Sequence, residues 1–108
     1  MTPEGIVAKA CRELMDIYNI DWRKSHVMKG VYRGYRVSTG KVGRADDDFI
    51  MQDMSGRTCY VEYKKPGGKQ SPEQIEFMDK CIYLNIPYVL TENVDHFKEC
   101  LIDLGVIK

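Results

Sequence analysis

Two groups of charged side chains have the residue types and spacing that metal-dependent chemistry requires. Glu62 and Lys64 are two positions apart in a stretch rich in Val and Tyr. On a β-strand, their side chains would point to the same face. The run Asp46-Asp47-Asp48 opens a second strand-like stretch, and Ser55-Gly56 between the two stretches is typical of a tight hairpin turn. Such a hairpin would bring the acidic run beside Glu62 and Lys64.

Carboxylates on neighbouring strands can bind a hard divalent cation, which takes several oxygen ligands. An Asp, a Glu and the backbone carbonyl of Tyr63 would supply three ligands, and water and phosphate oxygens would supply the rest. A lysine beside the metal would orient or deprotonate the attacking water and stabilise charge on the phosphate. The same spacing also fits a solvated Glu-Lys pair beside an acidic loop end, so both interpretations stay open at this point.

Charge is unevenly distributed along the chain, although its 16 Lys+Arg and 16 Asp+Glu give a net charge of zero. Residues 23–44 contain no acid and carry these bases: Arg23, Lys24, Lys29, Arg33, Arg36, Lys41 and Arg44. A second basic group follows at residues 64–69, whereas residues 73–103 are mainly acidic. Aromatic residues are interleaved with the first basic stretch, as is typical of nucleic-acid surfaces. A solvated basic face with the aromatic rings in the core explains the pattern equally well.

Length and composition predict one globular domain over residues 1–108. The four cysteines contain no Cys-x-x-Cys pair, which argues against a zinc site and indicates buried, reduced thiols. No apolar run approaches the roughly 20 residues of a membrane span. The first residues lack the basic and apolar parts of a signal peptide. We therefore expect a cytoplasmic protein with no membrane partner.

Capping residues and apolar periodicity predict the α/β order α-β-β-β-α-β-α, with a mixed central sheet flanked by helices. Helix starts are predicted at Thr2-Pro3-Glu4, at Ser71-Pro72-Glu73-Gln74 and at Asn93. Strands are predicted over Val27–Ser38, Asp48–Met54, Thr58–Lys64 and Tyr88–Leu90. The first helix has an apolar face of Val7, Ala10, Cys11, Leu14, Ile17 and Tyr18. The second has an apolar stripe of Ile75, Met78 and Ile82, flanked by Phe77, Cys81 and Leu84. We expect both faces to be buried.

Several of these motifs together resemble a known family. Gly43-Arg44-Ala45-Asp46, followed by Glu62-Tyr63-Lys64, resembles the Gly-x-x-Asp and Glu-x-Lys signature of the PD-(D/E)xK nuclease superfamily. Residues 65–77 resemble its VRR-NUC branch, in which a basic, glycine-containing loop leads into a Ser-Pro-x-Gln helix. Residues 36–40 are similar to the Arg-x-x-x-Gly segment that precedes the family's Asp. The resemblance extends over nearly the whole chain and implies a restriction-endonuclease-like core of the small, stand-alone phage type.

This resemblance implies Mg²⁺- or Mn²⁺-dependent cleavage of phosphodiester bonds in DNA. The family's metal-binding Asp and Glu correspond to Asp46 and Glu62, and its catalytic lysine corresponds to Lys64. Glu4 is the best candidate for a further ligand from the first helix, although an acid in a first turn is also favoured by the helix dipole. Gln74 corresponds to the family's helix glutamine, which implies a catalytic role in contact with the active site or DNA, and a capping box would explain it too. Lys65 departs from the hydrophobic residue that commonly follows the catalytic lysine.

Members of this kind are expected to act as homodimers on branched DNA, especially Holliday junctions. The candidate DNA-binding residues are Arg33, Arg36, Lys41, Arg44, Lys65 and Lys69. Two alternatives are a non-catalytic DNA-binding module that keeps the nuclease fold and a general protein-interaction domain. The complete set of Asp, Glu and Lys argues against the first, because carboxylates facing phosphate do not help simple binding.

Overall fold

A computed structural model describes residues 1–24, 30–32, 35–37, 48–51 and 58–107. In chain order the elements are α1 (Pro3–Ile17), β1 (Trp22–Lys24), β2 (Gly30–Tyr32), β3 (Tyr35–Val37), β4 (Asp48–Ile50), β5 (Cys59–Tyr63), α2 (Pro72–Tyr83), β6 (Tyr88–Thr91) and α3 (Val94–Asp103). The α/β class is confirmed. The single β-like stretch predicted over Val27–Ser38 is instead two short strands, and β1 precedes them.

Four strands form a mixed sheet in the order β1-β4-β5-β6. β4 is antiparallel to β1 and to β5, and its first residue, Asp48, is paired with Val61. β6 is parallel to β5, as a crossover through α2 requires. β2 and β3 form a separate antiparallel pair. The predicted pairing of the acidic end of β4 with β5 is confirmed, whereas the Ser55-Gly56 turn lies outside the described residues.

Each helix begins at the capping residue that its sequence predicts. Thr2 Oγ1 accepts a 3.0 Å hydrogen bond from Gly5 N at the start of α1. Ser71 and Gln74 form a reciprocal capping box at the start of α2. Asn93 Oδ1 accepts a 2.8 Å hydrogen bond from His96 N at the start of α3. These bonds pair backbone donors that have no partner within the helix itself.

Helices cover both faces of the sheet. Val61 and Tyr63 point toward α1 and α3, where the Tyr63 ring packs 6.3 Å from that of Phe97. The alternate residues of β5 point the other way, and there Tyr60 packs 5.1 Å from Phe77 of α2. Glu62 shares this second face, because side chains two positions apart on a strand lie together. No helix in the described part of the chain is long and apolar enough to cross a membrane.

The buried face of α1 is displaced from the predicted one. Val7, Cys11 and Met15 are buried at four-residue steps, whereas Ile17 is 75% exposed. Ile17 follows Met15 by two residues, which places it about 200° around the helix. The prediction was therefore right for Val7 and Cys11 and wrong for the last turn.

The buried face of α2 lies on the predicted flank of Phe77 and Cys81, and the predicted stripe is wrong for Ile75 and Ile82. Cys81 is buried and Phe77 packs against the sheet, but Ile75 is 44% exposed and Ile82 is 60% exposed. Ile75 and Ile82 lie roughly 140–160° around the helix from Phe77. The aromatic rings on this face of the sheet favour the Phe77 side, because an edge-to-face ring contact adds to the burial of apolar area.

The four cysteines, all within the described residues, are thiols, as predicted. Cys11, Cys59 and Cys81 are buried and Cys100 is partly exposed. Burial raises the pKa of both the Cys11 and the Cys59 thiol to about 12. These side chains are protonated, apolar parts of the core at neutral pH.

Candidate active site

Glu62 is a carboxylate in the middle of the sheet, and its exposed fraction is zero. Its two oxygens differ in their partners. Oε1 accepts a 2.6 Å hydrogen bond from the Tyr88 hydroxyl and a 3.0 Å hydrogen bond from Gln70 Nε2. Oε2 has no hydrogen-bond partner among the residues that the structure describes. This oxygen is therefore buried and available to a ligand.

Lys64 places its ammonium between two carboxylates. Its Nζ lies 3.6 Å from Glu62 Oε2 and 3.8 Å from Glu4 Oε1. These distances allow an ion pair but are too long for a strong hydrogen bond. The Lys64 side chain is 13% exposed and that of Glu4 is 45% exposed. The cluster therefore has one side that opens toward solvent through the first turn of α1.

The fold explains why these side chains meet. Glu4 lies in the first turn of α1, whose start is fixed by the Thr2 cap. Glu62 lies on β5, which is buried because it has a strand on each side. The Lys64 backbone N–H donates a 2.9 Å hydrogen bond to Thr91 O, which continues the pairing of β5 with β6. The ammonium is consequently anchored at the end of a central strand.

The loop between β5 and α2 positions the Gln70 side chain so that it contacts Glu62. Gly67 has a φ of +77°, which favours glycine, and its N–H donates a 2.8 Å hydrogen bond to Glu92 Oε2. Gly68 N donates a 2.8 Å hydrogen bond to Lys65 O. A Cβ on Gly68 would lie 3.0 Å from that same carbonyl oxygen. The two glycines therefore allow the tight turn that returns the chain to the sheet.

Lys64 also lines a cleft of about 310 Å³. Its lining residues are Lys64, Gly68, Leu90, Glu92, Asn93 and His96. His96 Nδ1 lies 3.0 Å from Thr91 Oγ1, so the imidazole is already engaged with β6. The cleft is thus an open space beside the Lys64 side chain.

A second buried carboxylate, Asp48, lies on the other face of the sheet. Arg12 binds both of its oxygens, through Nε at 2.8 Å and Nη2 at 2.9 Å. The Tyr63 hydroxyl donates a third hydrogen bond of 2.6 Å to Oδ2. Burial, together with this hydrogen bond, raises the pKa of Tyr63, so its hydroxyl stays a donor. Asp48 is thus not part of a solvated loop end: its exposed fraction is zero.

The candidate residues predicted from the sequence are only partly brought together. Glu62, Lys64 and Glu4 meet in one cluster, and the backbone carbonyl proposed as a ligand belongs to Tyr63, between two of them. Gln74 Oε1 accepts a 2.8 Å hydrogen bond from Ser71 N, which is the capping box, and Gln70 is the glutamine that contacts Glu62. A role for Gln74 in the active site remains a prediction.

The remaining predicted residues belong to the loop after β5 or to the part of the sequence that precedes β4. Lys65 and Lys69 are exposed on the loop between β5 and α2. Arg36 belongs to β3. Four predicted residues lie outside the described part of the chain: Arg33, Lys41, Arg44 and Asp46. Within the described part, no group of three His, Cys, Asp or Glu side chains is arranged to hold a metal.

Sequence reasoning missed both donors to Glu62. Tyr88 lies two residues before the position paired with Glu62, on the same face of the sheet. That parallel register depends on the path of α2 and is not encoded locally. Gln70 precedes a strong helix start by one residue, so its sequence neighbourhood indicates a loop and not a contact.

Comparison with known proteins adds evidence on the fold. No protein-family model and no curated protein matches the sequence. Among solved structures, one described as "VRR_NUC domain" aligns with a TM-score of 0.67 and 20% sequence identity. The alignment covers 95% of this chain and 97% of that chain. At this identity the likeness establishes the architecture, and it extends over almost the whole of both chains. The chain therefore has the fold of the structure described as "VRR_NUC domain".

Proposed function

We propose that this chain, over residues 1–108, is a divalent-metal-dependent endonuclease that hydrolyses phosphodiester bonds in DNA. The observation that carries the proposal is Glu62 Oε2, a buried carboxylate oxygen with no hydrogen-bond partner in the described residues. A buried, unsatisfied carboxylate oxygen destabilises a fold, and groups retained at such a cost are typical of functional sites. The nuclease fold supports the same function.

The donor set fits Mg²⁺ or Mn²⁺. Hard cations prefer oxygen ligands, and the cluster offers Glu62 Oε2 and the Glu4 carboxylate. We assign two further ligands, the Asp46 carboxylate and the Tyr63 backbone carbonyl. A bound cation of this kind would polarise the phosphoryl group and lower the pKa of a bound water.

Lys64 is suited to stabilise negative charge on the phosphate. Its side chain is 13% exposed, and its ammonium lies within ion-pair distance of two carboxylates, which restrict its position before substrate arrives. A preorganised cation in a site that largely excludes water is more effective than the same cation in solvent. Lys64 also lines the 310 Å³ cleft, and we assign this cleft as the approach for a phosphate group.

Binding to DNA would depend mainly on phosphate contacts. Lys65 and Lys69 are exposed on the loop that follows the Glu62-Tyr63-Lys64 segment. The basic residues Arg33, Arg36, Lys41 and Arg44 would extend this surface. Phosphate contacts make binding fall steeply with salt and carry no base sequence information. We therefore propose recognition of DNA shape, with branched DNA such as a Holliday junction as substrate and a homodimer as the acting form.

The test is a cleavage panel at one Mg²⁺ concentration. A four-way junction, a flap, a splayed duplex and a linear duplex would be compared, with binding measured in parallel. We expect metal-dependent cutting, fastest on a branched substrate. Binding to these substrates without cutting, with Mg²⁺ or Mn²⁺, would contradict the proposal and indicate a non-catalytic DNA-binding module.

Two adjacent acids provide a matched pair of variants for the same assay. We expect Asp46→Ala to abolish cutting and Asp47→Ala to leave most of it. Loss of a metal-binding carboxylate should lower the rate on the order of 10²-fold or more. Full activity of Asp46→Ala would contradict the assignment of this residue.

A further inference from the structure

The two donors to Glu62 both bind the same oxygen. Oε1 accepts hydrogen bonds from Tyr88 at 2.6 Å and from Gln70 at 3.0 Å. A carboxylate oxygen has about two lone-pair sites, so these two bonds occupy Oε1. Oε2 receives no hydrogen bond from the described residues. One oxygen of the Glu62 carboxylate is thus hydrogen-bonded by two donors, and the other oxygen has no donor among the described residues.

Both donors are held by packing that does not depend on Glu62. The Tyr88 ring lies 6.0 Å from that of Phe77, in an edge-to-face contact, and its backbone is paired with β5. Gln70 Nε2 also lies 3.6 Å from Met78 Sδ, between the loop and α2. One donor comes from a strand and the other from a loop. Together they fix the rotation of the carboxylate about its last bond.

We propose that Tyr88 and Gln70 are positioning residues that restrict Glu62 to binding a metal through one oxygen, and thereby favour Mg²⁺ or Mn²⁺ over Ca²⁺. This inference rests on the proposed function. Mg²⁺ requires near-octahedral geometry with few protein ligands, whereas Ca²⁺ takes 6–8 oxygens and often binds both oxygens of a carboxylate. Because Oε1 is already hydrogen-bonded, Glu62 can offer Oε2 alone, which suits Mg²⁺. The same hydrogen bonds disfavour Ca²⁺ binding through both oxygens.

The test measures metal binding and not only activity. Calorimetric titration of the full chain with Mn²⁺ and, separately, with Ca²⁺ would compare wild type with Tyr88→Phe. The variant keeps the ring that packs on Phe77 and loses only the hydroxyl. Loss of such an outer partner typically weakens metal binding by about 10–100-fold. We expect the Mn²⁺ affinity to fall by about 10-fold and the Ca²⁺ affinity to fall less. The Mn²⁺/Ca²⁺ affinity ratio therefore narrows.

Tyr83→Phe is the control, because it also removes a single tyrosine hydroxyl. Tyr83 is 80% exposed at the end of α2 and is not one of the residues assigned to the metal site. Both metal affinities of this variant should equal those of wild type. Gln70→Leu tests the second donor and should narrow the Mn²⁺/Ca²⁺ ratio in the same direction as Tyr88→Phe. Circular dichroism of each variant would show that it is folded before titration.

The outcomes separate this inference from the proposed function. Unchanged Mn²⁺ affinity in Tyr88→Phe, or an equal loss of both affinities, would overturn the positioning role. If Glu62→Gln abolished Mn²⁺ binding at the same time, the proposed metal site would stand. If wild-type protein itself bound no Mn²⁺, both the metal site and the inference that rests on it would fail.

Discussion

The sheet carries two buried carboxylates on neighbouring strands, and their oxygens have different hydrogen-bond partners. Asp48 on β4 and Glu62 on β5 both have an exposed fraction of zero. Each accepts a 2.6 Å hydrogen bond from a tyrosine hydroxyl. Asp48 has both oxygens bound by the Arg12 guanidinium. Glu62 has both donors on one oxygen, and its cation is a lysine at 3.6 Å.

The difference shows how burial alone fails to separate structural from functional carboxylates. Arginine presents a rigid fork that fills both oxygens of a carboxylate. Lysine is a flexible point charge, and at 3.6 Å it neutralises Glu62 without filling Oε2. Asp48 and Arg12 therefore form a closed pair, in which the guanidinium binds both carboxylate oxygens, and this pair stabilises the fold. Glu62 Oε2 has no hydrogen-bond partner among the described residues, and in our proposal it binds a metal ion. The two carboxylates should therefore respond differently to substitution.

The largest expected effect is the loss of cleavage in Lys64→Ala. Removal of the ammonium beside Glu62 should lower the rate by about 10²-fold or more, because preorganised charge stabilisation is lost. Lys65→Ala is the matched control, since this neighbouring lysine is exposed. Single-turnover kinetics on a branched substrate would measure both. Equal losses in the two variants would contradict a special role for Lys64.

The next largest effect is the loss of stability expected when the Arg12 guanidinium is removed from Asp48. Arg12→Met would leave a buried carboxylate with its Tyr63 hydrogen bond and without its guanidinium partner. Breaking a buried pair costs about 3 kcal/mol or more, which lowers the melting temperature of a chain this size on the order of 10 °C. Thermal unfolding followed by circular dichroism would measure it. A melting temperature close to that of wild type would show that the pair is not structural.

A smaller loss of stability is expected for Tyr63→Phe. Asp48 would keep both bonds to Arg12 and lose one of its three donors. A hydrogen bond to a charged group contributes about 1.5–3 kcal/mol, and we expect the low end because two bonds remain. Urea unfolding would give the free energy. If the free energy of unfolding fell more in Tyr63→Phe than in Arg12→Met, the Tyr63 hydroxyl and not Arg12 would be the more important donor to Asp48.

The smallest expected effect is the slow reaction of the Cys11 thiol with a thiol reagent. Because Cys11 lies near Asp48, its reactivity in the wild-type protein reports on the surroundings of the closed pair. Burial and the negative charge of Asp48 raise the pKa of this thiol to about 12. The thiolate is the reactive form, so Cys11 should resist a thiol reagent at pH 8 in folded protein. Cys100 is partly exposed and should react first. Mass spectrometry of partly labelled protein would show the order, and early labelling of Cys11 would indicate that its surroundings are open.

Local features of the fold were predictable from the sequence. Thr2, Ser71 and Asn93 start the helices because each places an acceptor where backbone N–H groups lack partners. The pairing of the Asp48 end with the Glu62 segment followed from two strand-like stretches joined by a short turn sequence. These predictions depend only on neighbours in sequence, which is why they were reliable.

The partners of the two carboxylates were not predictable, because they come from distant parts of the chain. Arg12 is 36 positions from Asp48, and Tyr88 is 26 positions from Glu62. Their contacts depend on how α1 packs and on the register of a parallel strand. The side of α2 that faces the sheet was predicted only as the flank of the apolar stripe, because it depends on aromatic rings contributed by two other strands. The candidate site was therefore predicted as a set of ligands without the residues that orient them.

The most direct test of this account measures cleavage and thermal stability together in Glu62→Gln and Asp48→Asn. With Mg²⁺ and a branched substrate, Glu62→Gln should lose on the order of 10²-fold or more in rate while its melting temperature stays near that of wild type. Asp48→Asn should lose several degrees of melting temperature and, where it is folded, should cut at close to the wild-type rate. The opposite pattern, with Glu62→Gln active and Asp48→Asn folded but inactive, would contradict the assignment of Glu62 to the active site.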